Sequence, residues 1–232
     1  MNILYLFLLL MAITTNGIAL RTRQPYVKLL FTYLVSSLLV TLLAIYVKAY
    51  TRSESNLWLF HVFTPVEYTL FALFYFLAIS RPALKKLILI SIPIFILASI
   101  LFSIFIQTIS HNNSYIGIIE SILIICWTLL FWRELLLLKH VKVLYRYPLF
   151  WISAGILVYF TETLVIEGLL DYLIKHSMGL ALQAYKISYI FKYLLLVAFT
   201  IGAYYQIISG RTQAGRSGTE AGRSGTEADR SV

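Results

Sequence analysis

The chain has 232 residues, of which 60% are hydrophobic and only 12% charged, with a formal net charge of +9. Soluble domains carry a smaller apolar share and about twice the charged share, so this composition excludes an ordinary water-soluble enzyme and points to an integral membrane protein. Nucleic-acid binding is also excluded, because the cations are spread over short segments beside apolar runs; that placement serves membrane topology, with attraction to anionic lipid headgroups as a by-product.

An apolar run of about 20 residues is needed to cross a hydrocarbon core of about 30 Å. Seven such runs occur, at roughly 3–20, 27–47, 57–79, 87–107, 116–132, 149–170 and 187–208. Each is predicted to be a helix, since a lipid-exposed strand or loop would leave backbone polar groups unpaired. The first run follows only the uncharged residues "MN", is long for a signal-peptide core, and has Arg21 and Arg23 after it, so it reads as a retained span with the amino terminus outside. Lysine and arginine placement agrees with that orientation. Arg21, Arg23, Lys28, Arg81, Lys85, Lys86, Arg133, Lys139, Lys142 and Arg146 fall on the predicted inner side, joined by the arginines of the tail, whereas the outer connections hold Lys48, Arg52, Lys175 and Lys186.

The third run contains "HVFTPVEYTL" at 61–70, in which His61, Thr64 and Glu67 follow one another at i, i+3 spacing and so share a helix flank. Counting from Leu57 at about 1.5 Å per residue, His61 lies about 6 Å deep and Glu67 about 15 Å deep, near the midplane. Pro65 lacks the amide that would bond the carbonyl of residue 61. A glutamate at that depth is either a tether between helices or part of a polar site. In the same outer half lie Glu120 of the fifth run, Glu162 of the sixth and Lys192 of the seventh. Intramembrane charges usually face the bundle interior and pair with one another, so these groups are expected to surround one outward-opening pocket, with the deeper tyrosines Tyr68, Tyr159, Tyr189 and Tyr193 lining it. Glu167 is expected to meet water, and Trp58, Trp132, Tyr145, Tyr147, Trp151, Tyr185 and Tyr204 fit an interfacial aromatic belt.

From residue 209 the composition changes. "AGRSGTE" at 214–220 repeats at 221–227 and begins again as "ADRS". A segment so rich in Gly, Ser and charge buries too little apolar surface to offset its chain entropy, and nothing in it occupies the apolar a and d positions of a coiled coil, so 209–232 is predicted to be a disordered low-complexity tail. The single cysteine, Cys126, allows no internal disulfide. An Asn-x-Ser glycosylation sequon begins at Asn112 on the predicted outer side. No Gly-rich phosphate loop or other soluble catalytic motif occurs in the short connections.

Three functional classes fit poorly. A seven-span retinal protein needs a central lysine in its last span, whereas Lys192 lies near the outer edge of its run and no arginine precedes the acid of the third. Seven-span metal-dependent lipid hydrolases need His and Asp ligands converging at one depth; His61, His111 and His176 share a side but not a depth, His140 lies on the other, and no metal site or cofactor is expected. A transporter built on inverted repeats needs paired broken helices, and Pro65 and Pro93 interrupt successive spans without a matching repeat.

The runs "ESILIICWTLLFW" at 120–132, "YPLFWISAGILVYF" at 147–160 and "YIFKYLLLVAFTIGAYY" at 189–205 resemble small seven-span proteins of bacterial genomes, related to sensor modules of histidine-kinase signalling systems. The resemblance covers residues up to about 208 and implies a ligand-sensing module. Because no kinase domain is fused to it here, it also implies a separate signalling partner such as a histidine kinase. The expected fold is therefore all-α, an integral membrane bundle of seven transmembrane helices over 1–208 with amino terminus outside and carboxyl terminus inside, in the inner or plasma membrane of the cell. Its expected function is binding of a small ligand or lipid headgroup rather than catalysis. A membrane-embedded enzyme or small-solute transporter is the alternative.

Overall fold

The computed structural model describes residues 3–50, 57–106, 113–137 and 144–228; of residue 171 and of 211–228 it describes the backbone alone. Among the described residues all regular structure is helical. The elements are α1 (Ile3–Ala19), a 3-10 turn (Leu20–Thr22), α2 (Pro25–Tyr50), α3 (Trp58–Ala78), α4 (Pro82–Phe105), α5 (Ser114–Leu137), a second 3-10 turn (Leu144–Arg146), α6 (Pro148–His176) and α7 (Met178–Ala228). Among the described residues seven helices are long and apolar enough to span a membrane. Helices α2, α4 and α6 each begin on a proline, whose fixed φ and missing N–H suit the first helical position. Tyr147, just before Pro148, has its phenol pushed up from the usual range by burial.

Chain neighbours pack as α1 on α2, α2 on α3, α5 on α6 and α6 on α7; α3 also meets α5, and α7 returns to α1, closing a ring. Helix α4 lies outside that ring, against α3 and more lightly against α5. Its outward face, including Leu87, Ile90, Ile94, Leu97 and Ile104, is exposed, as a face solvated by lipid should be. Helix α3 is the most buried span. Aromatic rings plug the interior: Phe71 of α3 has its ring centroid 4.6 Å from that of Tyr33 on α2, 5.4 Å from Phe160 on α6 and 6.4 Å from Phe199 on α7.

The most extensive helix contact is that of α6 with α7. A Cβ on Gly155 would lie 2.5 Å from Ala198 Cβ, and one on Gly202 would lie 2.5 Å from Ile152 Cγ1. Small residues at these positions let two backbones approach where lipid supplies no hydrophobic drive for association. On the side of the bundle opposite the amino terminus, Glu134 of α5 closes the α3–α4 turn. Its carboxylate accepts the amides of Ser80 at 2.8 Å and Arg81 at 3.4 Å and lies 3.5 Å from the Arg81 guanidinium.

The predicted spans and the helices differ most around residues 171–186. That segment, expected as an outer connection, is helical except at Ser177: α6 runs on to His176 and α7 begins at Met178 rather than near 187. Ser177 accepts the amide of Leu180 on its hydroxyl at 3.4 Å and donates its own amide to Leu173 at 2.8 Å, so one residue ends one helix and caps the next. Hydropathy marks where charged side chains such as Lys175 and Lys186 begin, but backbone hydrogen bonding continues past them. At its far end the α7 backbone continues as helix across the repeat to Ala228. The disordered tail predicted for 209–232 rests on its composition, which offers no apolar face to pack.

Candidate functional site

Polar groups collect in the half of the bundle nearest the amino terminus. Glu67 on α3 is 9% exposed, and its Oε1 accepts a hydrogen bond from the Tyr33 hydroxyl of α2 at 3.0 Å. Lys192 lies fourteen residues beyond Met178, the start of α7, about 21 Å along the helix. It therefore stands well inside α7, although it lies close to the start of its apolar run. Lys192 Nζ is 5.4 Å from the centroid of the Tyr5 ring on α1, and the Tyr5 hydroxyl is 3.2 Å from Ser37 Oγ on α2. The ammonium interacts electrostatically with Tyr5, Tyr159, Glu67 and Tyr189. No ion pair within 4.0 Å joins it to Glu67; among the described residues the one such pair is Arg81 with Glu134.

Glu120 on α5 is 5% exposed and interacts electrostatically with Glu67 and Glu167. Its Oε1 has no hydrogen-bond partner among the described residues. Glu162 on α6 accepts a 2.5 Å hydrogen bond from Ser188 of α7 on Oε1, while its Oε2 has none. Tyr159, one turn before Glu162, interacts electrostatically with Glu67, Lys192, Glu120 and Glu162. Four of the five groups expected to share a pocket, Glu67, Glu120, Glu162 and Lys192, thus act electrostatically on one tyrosine.

The other candidates sit at the margins of that group. His61 turns to α4, with Nδ1 2.8 Å from Ser103 Oγ, whereas Glu67 turns to α2. Each i, i+3 step falls about 60° short of a full turn, so the single flank expected of His61, Thr64 and Glu67 fans across the helix. Thr64 donates to the Phe60 carbonyl at 2.9 Å and accepts from Nδ2 of Asn113, just before α5, at 3.4 Å. Tyr68 is fully buried and interacts with Glu120. The Trp127 indole, which only donates, gives its hydrogen to the Tyr68 hydroxyl at 3.4 Å. That hydroxyl lies 2.6 Å from Ser91 Oγ, which donates to the Ile88 carbonyl at 2.7 Å. Tyr189 is exposed on the bundle surface and Tyr193 half-buried beside it, their ring centroids 6.4 Å apart.

Several members carried no strong signal in the sequence. Tyr5, Tyr33 and Ser37 stand out only as polar tips in aliphatic spans, and Asn113 and Ser188 are ordinary helix-end and helix-face residues. Glu167, expected to meet water, is half-buried beside α5, its Cγ 3.5 Å from where a Cβ on Gly117 would be. Of the histidines, His176 stacks on Tyr172 at 4.0 Å and bonds its carbonyl oxygen at 2.9 Å; His111 and His140 lie outside the described residues. Among the described residues no three His, Cys, Asp or Glu side chains are grouped closely enough to hold a metal ion. The arrangement offers buried acceptors and one ammonium to a small polar molecule. Comparisons with protein-family models, curated proteins and solved structures find no match for this chain.

Proposed function

We propose that this chain is a multi-pass sensor or receptor-like module. In this reading the amino terminus is outside, the polar cluster faces outward and binds a small ligand or lipid headgroup, and a separate partner such as a histidine kinase carries the signal onward. The observation that carries it is the burial of Glu67, Glu120 and Glu162 inside the bundle, with Glu120 Oε1 and Glu162 Oε2 lacking a donor among the described residues. Buried polar atoms are costly without partners, and ionisable groups inside a membrane bundle commonly mark a binding or transport path. The lysine and arginine distribution supports the orientation, and the resemblance of the spans at 120–132, 147–160 and 189–205 to bacterial sensor modules supports signalling and placement in the cell membrane.

The test uses the purified full chain in liposomes. Saturable binding of a small molecule or lipid, without turnover or net solute flux, is the expected result. Flux or turnover would establish the transporter or enzyme alternative instead. Co-purification of a histidine kinase from native membranes, lost on substitution of the cluster, would extend the reading to its output.

A further inference from the structure

Accepting the cluster as a ligand site, its chemistry narrows what the ligand carries. Glu120 interacts electrostatically with the acids Glu67 and Glu167 and, like Glu162, acts on Tyr159, whereas Lys192, whose ammonium sits on the Tyr5 ring, acts on Glu67. Among the described residues no cation interacts with Glu120. Among the described residues the buried polar atoms lacking hydrogen-bond partners are Asn113 Oδ1, Glu120 Oε1, Glu162 Oε2 and the Tyr193 hydroxyl; the amide oxygen and an ionised carboxylate oxygen can only accept. What this region lacks is a donor. The carboxylates are too dispersed to be ligands of a single metal ion, which needs oxygens at about 2.0–2.6 Å. A cation whose positive end carries several N–H bonds on a carbon frame meets both conditions. The phenols of Tyr68 and Tyr159 interact electrostatically with Glu120.

We propose that the ligand presents a primary ammonium group to Glu120, with Glu162 and the neighbouring acids supplying the field that selects positive charge. Two sources share this chemistry: a free small amine and the ethanolamine headgroup of a phospholipid. A quaternary ammonium carries the charge without the N–H donors and is selected against.

The experiment measures thermal shift and binding isotherms on the full chain in nanodiscs of phosphatidylcholine and phosphatidylglycerol. The soluble probes are ethanolamine, phenethylamine and putrescine, set against choline, ethylene glycol and glycolate. A parallel set of nanodiscs contains phosphatidylethanolamine. The expected result is saturable stabilisation by at least one primary amine or by phosphatidylethanolamine, at least tenfold weaker for the quaternary or neutral counterpart. Stabilisation by the lipid alone assigns the headgroup; stabilisation by soluble amines in its absence assigns the free amine. Glu120→Gln is expected to weaken binding at least tenfold and Glu162→Gln about threefold. Should Glu120→Gln fail to fold, the wild-type selectivity series decides the question alone. Binding of glycolate or ethylene glycol in place of amines would overturn the ammonium assignment while leaving a ligand site. Choline matching ethanolamine would overturn the need for N–H donors, and undiminished amine binding by Glu120→Gln would overturn the seat. If no probe or lipid binds, the ammonium proposal falls, and concurrent solute flux would take the sensor reading with it.

Discussion

The Tyr33 hydroxyl on α2 donates to Glu67 Oε1 on α3 across 3.0 Å, with the tyrosine 2% exposed and its ring against Phe71. One hydrogen bond thus satisfies the deepest acid of the third span and fastens two successive helices. Removing the hydroxyl strands a buried acceptor, which costs about 1–3 kcal/mol. Tyr33→Phe, which keeps the ring packing, is therefore expected to lower thermal stability in detergent. In a Glu67→Leu background the same change is expected to cost much less, because the acceptor is gone; equal losses in both backgrounds would show that the hydroxyl serves something other than Glu67.

Glu67 and Lys192 interact without a direct ion pair. Breaking a buried, directly bonded pair costs about 3–5 kcal/mol, so the coupling here is expected to be smaller, about 1 kcal/mol in a double-mutant cycle. Glu67→Gln and Lys192→Met each lower the melting temperature, and the double variant recovers part of the loss. Strict additivity would mean that the two charges do not sense one another.

The α6–α7 contact makes a steric prediction. Gly155→Ala places its methyl 2.5 Å from Ala198 Cβ, closer than two carbons tolerate, and overpacking of this kind costs about 1–3 kcal/mol. Ala198→Gly is expected to restore most of that loss when combined with Gly155→Ala. Gly202→Ala behaves in the same way towards Ile152, with Ile152→Ala as its partial rescue. A stable Gly155→Ala protein would show that the two helices stand further apart.

At the other end, Glu134 is 12% exposed in its side chain, whereas Arg81 is 50% exposed. The half-exposed arginine contributes little, since surface ion pairs are worth about 0–1 kcal/mol. The carboxylate's hydrogen bonds to the Ser80 and Arg81 amides matter more. Glu134→Ala is expected to speed hydrogen exchange at those two amides and to lower the melting temperature more than Arg81→Ala does. The reverse order would assign the contact to charge alone.

Orientation is checked by labelling. In a Cys126→Ser background, cysteines at Ala83 and Val143 are expected to react only with reagents inside the cell, and those at Ser53 and Asn112 only with reagents outside. The opposite pattern would place the polar cluster on the inner side.

The seven spans were legible because a helix in lipid needs a long apolar run, and that need is written directly in composition. The acids at 67, 120 and 162 were legible as charges where hydrocarbon was expected. Their partners were not: Tyr33 and Tyr5 become significant only when α2 and α1 are brought beside α3 and α7, and one sequence carries no record of which helices touch. The end of α6 and the start of α7 were misplaced because charge, which ends an apolar run, does not end a helix. Glu134 passed unremarked because a lone acid beside an arginine on a predicted inner edge looks like ordinary solvated charge until the α3–α4 turn is seen against it.

Gly155 and Gly202 leave no room between α6 and α7 for a lipid chain or a layer of water, and Ser177 joins the two helices through a single residue. The pair therefore behaves mechanically as one stiff hairpin. Glu162, Lys192 and Tyr159 ride on it together, and the hairpin rests on α5 through α6 and on α1 through α7. A change in the register of α6 against α7 would therefore have to move two close backbones apart before it could alter the spacing of Glu162 and Lys192.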